Sequence, residues 1–142
     1  MEFRVEANSS KSQKFLTAIM PSIIDQLGLT NSRKAVLVKV SNDVPDGMMG
    51  ATLDIEIADC YLVLIRPPKR MSAKALIEIS GILAHEMVHV RQLAKGIMKF
   101  ANNQARIWKG KRYTKKTKYL DMPWEIDAFA KQEIILRRAL EL

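Results

Sequence analysis

The sequence predicts an α+β domain: an N-terminal helix, a small sheet of three to four mostly antiparallel strands, a buried central helix and a C-terminal helix. Three observations carry that expectation. The 142 residues suffice for one domain with a real core, residues 1–142 taken together. Short runs between residues 34 and 66 are alternating or continuously apolar, as strands are. Longer segments with helical spacing lie on either side of them.

The first helix is expected over residues 9–28. Ser9 or Ser10 can cap it, and Phe15, Ile19, Ile23 and Leu27 recur every four residues. Pro21 is expected to kink it and Gly28 to end it. Lys34–Ser41 is rich in β-branched residues and reads as a strand. Ala51–Ile57 alternates, with Ala51, Leu53, Ile55 and Ile57 on the side expected to be buried. Cys60–Arg66 is almost unbroken apolar sequence, the mark of a central strand, and the short Ala58-Asp59 link makes a hairpin of the two. Pro67-Pro68 stops the strand.

Ser72 to Lys95 reads as one long helix closed by Gly96. It is apolar around most of its circumference, which predicts burial in the middle of the fold. A last helix is expected from Pro123 to Leu140, capped by Asp121, with Arg137 and Arg138 near its negative end. Ile126, Phe129, Ala130 and Ile134 are expected to form its packed face.

Composition narrows the function. The chain has 48% hydrophobic and 27% charged residues, an ordinary globular balance. No apolar run approaches the ~20 residues of a membrane span, and the first residues lack a secretory pattern. A cytoplasmic protein is therefore expected. Cys60 is the only cysteine, which excludes an internal disulfide and a multi-cysteine metal site. The net charge of +8 is uneven, since residues 66–118 carry about +12 and the rest about −4. The densest basic run is 106–118, interleaved with Trp108 and Tyr113. It reads either as a solvated hairpin or as a surface for nucleic acid or another acidic partner.

The central helix contains His85-Glu86-Met87-Val88-His89, an H-E-x-x-H pattern. Residues four apart stand one turn above each other, so both imidazoles can face one cation. Glu86 sits beside such a cation without ligating it, where it can accept a proton. Both histidines of the chain are spent on this turn. Two histidines and a glutamate left bare in an apolar helix would be costly to desolvate, and a metal removes that cost. A third ligand must come from elsewhere. Cys60 lies on an apolar strand and reads as core. Glu125 and Asp127 of the last helix are the candidates, pointing about 200° apart, so only one can face the ion. Glu125 is favoured, beside Phe129 at the edge of the packed face. Zn2+ suits two imidazoles and a carboxylate best.

His85-Glu86-x-x-His89 followed by Glu125-x-x-Ala128 resembles the gluzincin branch of zinc metallopeptidases. More narrowly, LAHEMVHVRQ with a later W-K-G-K-x-Y and P-W-E-x-D-A is similar to short zincin-like proteins often seen in phages. The likeness covers roughly residues 80–130. SprT-like and ImmA/IrrE-like metallopeptidases share the minimal layout. This chain lacks the third histidine of the SprT type, and Phe129 stands where larger gluzincins commonly carry Asp or Asn. The resemblance implies a single zincin-like metallopeptidase domain with zinc at His85, His89 and Glu125, and Glu86 as general base. A phenol, Tyr113 or Tyr119, is then the expected donor to the oxyanion, and Ala51–Ile57 the edge that pairs with an extended protein or peptide substrate. Trp108 and Trp124 are expected to pack around the site. The alternative is a zincin-like module that binds nucleic acid or polyanions through 106–118 and holds a structural metal.

Overall fold

A computed structural model describes residues 1–141. The chain runs β1 (Phe3–Glu6), α1 (Ser10–Gln26), β2 (Ala35–Val40), β3 (Gly50–Ile55), β4 (Cys60–Ile65), α2 (Ala73–Ala94), β5 (Met98–Phe100), β6 (Arg106–Trp108), β7 (Lys111–Tyr113) and α3 (Pro123–Ala139). The α+β class is as expected. The strands form a four-stranded sheet in the order β1-β2-β4-β3 and a three-stranded sheet in the order β5-β6-β7.

The direction of the larger sheet corrects the sequence reading. Strand β1 pairs parallel with β2, β2 pairs parallel with β4, and only β3–β4 is antiparallel. The cause is topological. Helix α1 serves as the crossover from β1 to β2, and the β3–β4 hairpin inserts its second strand beside β2. The short strand β1 was not anticipated, because only Val5 in it is buried. The β3–β4 hairpin is present, turning at Asp59 with φ 51°.

Helices α1 and α2 pack on the larger sheet and on each other, and α3 lies against both. Alternate residues of β2, Val36, Val38 and Val40, enter the core beside Val63 and Ile65 of β4. Ser9 caps α1, and Pro21 is accommodated within it. Ser72 caps α2 through a 3.0 Å bond from the Ala75 amide, and Gly96 leaves that helix at φ +71°, a conformation that favours glycine. Every residue from Leu83 to Val90 is buried. That continuity is what an all-round apolar helix requires, and it carries His85, Glu86 and His89 into the interior.

Two further expectations are corrected. Met122, not Asp121, occupies the N-cap of α3 and makes no side-chain cap bond, while Asp121 ends a short 3-10 turn. The packed face of α3 is Trp124, Ala128 and Ile135, and Ile126, Phe129 and Ile134 are each more than half exposed. The outer strand also turned out differently. Leu53 is largely exposed and Ile57 is 99% exposed in a 3-10 turn, while Gly50 and Thr52 approach α2. An edge strand has a weaker inward preference, and here its small and polar side meets a polar site.

Leu83 is fully buried where α2 meets the core. Leu83→Ala is expected to cost about 3 kcal/mol in urea unfolding, because the packed surroundings cannot collapse into the space. A loss below about 1 kcal/mol would contradict a buried α2.

Candidate metal centre

Helix α2 presents His85 and His89 on one face, one turn apart. Their ring centres are 5.0 Å apart and their planes stand at 82°. Helix α3 lies across them and delivers Glu125. A single carboxylate oxygen, Oε1, lies 2.8 Å from His85 Nε2 and 3.1 Å from His89 Nε2. These ligand atoms all fall within 4.8 Å of one another, a group that could hold a metal ion. Glu125 therefore stands where the sequence favoured it.

The far sides of the rings decide the chemistry. His89 Nδ1 is 2.8 Å from Gln92 Oε1. Gln92 Nε2 donates to the Trp124 carbonyl at 2.9 Å and to Asp127 Oδ2 at 3.0 Å. Both partners are acceptors, so the amide nitrogen must face them and its oxygen must face His89. His89 Nδ1 is then the donor, and its Nε2 turns toward the Glu125 oxygen. His85 Nδ1 lies 2.9 Å from Gln132 Oε1. A neutral imidazole so held aims a lone pair at a carboxylate oxygen. Only a cation between them, proton or metal, makes that arrangement favourable.

Burial works to raise the Glu125 pKa, but hydrogen bonds and charge from His85 and His89 prevail and hold it at about 2. Burial works to lower that of His85, while Glu125, Glu86 and Gln132 raise it. The donor set of two nitrogens and one oxygen fits a divalent cation such as zinc. His85, His89 and Glu125 would hold it.

Asp127 has a different role from the ligand role open to it in the sequence. It accepts from Gln92 and from Lys131, and so positions the amide that positions His89. Burial would raise its pKa, but these hydrogen bonds outweigh burial and lower it. Gln92 and Gln132 are the functional residues that sequence reasoning missed. Gln92 stands three residues after His89, one turn away on the same face, which is the signal that was present.

Glu86 lies in the same cavity and touches neither histidine ring through a hydrogen bond. Thr52 Oγ1 of β3 holds its carboxylate at 2.8 Å. Burial pushes the Glu86 pKa up, partly offset by the histidines and Thr52. Gly50 also matters here. A Cβ at that position would come within 2.8 Å of Ile82 and 3.0 Å of the Glu86 side chain. Only glycine lets β3 run this close to α2.

The cavity is open, about 640 Å³, and is lined among others by Met48, Met49, Phe100, Arg106, Tyr119 and Phe129. Tyr119 borders it, and burial of the phenol together with the charges of Glu125 and Glu86 push its pKa up to about 12. Tyr113 does not line it. Its ring packs edge-on to Trp124 at 5.7 Å, so of the two phenols only Tyr119 is placed to donate into the cavity. Trp124 is buried against the site, as expected. Cys60 is a half-buried free thiol outside the metal-binding group. The basic run 106–118 forms the β6–β7 hairpin and the loop after it. The Lys109 ammonium lies 5.7 Å from the Trp108 ring centre and that of Lys111 5.1 Å from the Tyr113 ring centre. Among the described residues no helix is long and apolar enough to cross a membrane.

Removing the second layer is expected to weaken metal without erasing it. Gln92→Ala should lower zinc affinity about 10- to 100-fold in chelator competition. Glu125→Ala should lose stoichiometric zinc, and Asp127→Ala should retain it with weaker affinity. Equal zinc retention by the Glu125 and Asp127 variants would contradict the assignment of ligand and support. No family model, curated protein or solved structure matches this chain, so its chemistry is read from the geometry alone.

Proposed function

We propose that this chain is a zinc-dependent metallopeptidase that hydrolyses peptide bonds with Glu86 as general base. One observation carries the reading. The three ligand side chains of the centre share an open cavity with a fourth group, Glu86, which is held beside them and is not one of them. A purely structural metal has no use for an unligated buried carboxylate in an open cavity. Bound there, zinc would supply Lewis acidity that acidifies water and polarises a carbonyl oxygen.

The chain's own residues supply the remainder. Glu86, with its raised pKa and its Thr52 tether, accepts a proton from the attacking water and passes it to the leaving amine. Tyr119 stays protonated at neutral pH and is the group that donates to a developing oxyanion. Strand β3 is outermost in its sheet, and Gly50, Ala51 and Thr52 border the cavity. Its free edge suits pairing with an extended peptide backbone. Half-exposed Met48, Met49 and Phe100 at the rim suit apolar side chains. These features favour an extended peptide as the substrate.

Glu86→Gln is the central test. It should keep zinc at one per chain and lower cleavage of unfolded protein at least about 100-fold. His85→Ala should lose both metal and cleavage. A zinc-loaded wild type that cleaves no peptide, or a Glu86→Gln protein as active as wild type, would overturn the proposal. Tyr119→Phe should lower kcat about 100- to 1000-fold with little change in KM, as loss of one oxyanion donor does.

A further inference from the structure

One charged side chain in the cavity has no task in the chemistry above. Arg106 opens β6, opposite Phe100 on β5 and Tyr113 on β7. Its guanidinium carbon lies 5.0 Å from the ring centre of Trp124 and 5.1 Å from that of Phe100. Those two faces hold the cation in place. Its hydrogen bonding is poor. The acceptor it meets is the Met98 sulfur at 3.6 Å, a weak one. Among the described residues Arg106 forms no ion pair.

An arginine has five N–H donors in a fixed fork and remains charged in proteins. Arg106 is partly buried in an open cavity, so its unused N–H donors are within reach of a ligand that enters. Burial lowers its pKa, and Glu125 and Glu86 offset this at a distance. Each of those carboxylates is engaged through its Oε1, Glu125 with the histidines and Glu86 with Thr52, and neither is in ion-pair contact with Arg106. The aromatic clamp fixes the guanidinium in the wall of the cavity that also holds His85, Glu86, His89 and Tyr119.

Charge balance points the same way. A divalent cation, two neutral imidazoles, two carboxylates and Arg106 leave the cavity with one positive charge. One carboxylate from outside would neutralise it, in the bidentate geometry the guanidinium fork prefers.

Resting on the metallopeptidase reading, we propose that Arg106 anchors a carboxylate of the substrate, so that the enzyme selects peptides presenting a free C-terminus or an acidic side chain to the cavity. Arg106 then determines specificity and takes no part in proton transfer. The interleaved basic run of the sequence thus contains one residue of a different kind. The other cations of the β6–β7 hairpin, Lys109, Lys111 and Arg112, are exposed, and this one is clamped inward.

The test uses zinc-loaded protein and two thiols of equal length, 3-mercaptopropionate and 3-mercaptopropan-1-ol, titrated calorimetrically. Both offer a thiolate to zinc, and only the first offers a carboxylate. Wild type should bind the carboxylate form at least about tenfold more tightly. Arg106→Gln should abolish that preference while the Kd of the neutral thiol stays within about twofold. Arg106→Lys, which keeps the charge but not the fork, should retain part of it. Equal affinities in wild type would overturn the proposal with no variant needed, as would a preference that survives Arg106→Gln. The metal reading fails separately, if elemental analysis finds no zinc or the neutral thiol does not bind. A second arm identifies the source of the carboxylate. Competition on zinc-loaded Glu86→Gln protein compares a tripeptide with a free C-terminus, its amide, and an amide carrying Asp. Tighter binding of the free acid assigns a C-terminus, and tighter binding of the Asp peptide assigns a side chain. No gain by either over the neutral amide would overturn the carboxylate assignment.

Discussion

The structure turns on one electrostatic conflict and its resolution. Two imidazoles are held from behind by glutamine amides, so their front nitrogens face a single carboxylate oxygen at 2.8 and 3.1 Å. Acceptor facing acceptor is repulsive, and burial removes the water that would screen it. A cation in the middle makes every one of these contacts favourable. Gln92 is what makes the conflict strict at His89. With Gln92 fixed by the Trp124 carbonyl and by Asp127, His89 cannot turn its protonated nitrogen to the front. An arrangement so constrained suits a cation.

The fold supplies the parts in layers. Helix α2 must be buried to keep the rings dry, and the uninterrupted burial from Leu83 to Val90 does so. Helix α3 must dock across it, and Trp124, Ala128 and Ile135 form that docking face. Glu125 then follows by position, one residue after the most deeply anchored aromatic of α3. Strand β3 closes the other side. Its glycine allows close approach to α2, and its threonine pins the carboxylate of Glu86. The smaller sheet, which has little core of its own, carries Arg106 and Phe100 into the cavity wall. Each layer contributes a group of different chemistry to one open space.

Much of the centre was legible in the sequence because its spacing is helical. His85 and His89 are four apart, and their one-turn separation survives in any α-helix. Glu125 was reachable by elimination, since no third histidine exists and the only cysteine sits on a strand. The amide layer was not legible, because glutamines read as surface residues until a partner helix is placed. Gln132 meets His85 across 47 residues of sequence. The exposed faces of α3 misled for a related reason. Ile126, Phe129 and Ile134 have helical spacing and look like a core stripe, yet Phe129 serves the cavity rim at 4.6 Å from His85. The sheet was misread because strand direction depends on how connections cross over, and no local pattern encodes that. Arg106 was hidden inside a charge run whose other members are exposed.

The central claim is that two imidazoles of α2 and one carboxylate of α3 ligate a single zinc ion. X-ray absorption at the zinc edge of purified protein tests it most directly. Nitrogen and oxygen are expected at about 2.0–2.1 Å from the zinc, two of the scatterers being imidazole, with no sulfur. A shell containing sulfur at about 2.3 Å, or one without imidazole, would contradict it.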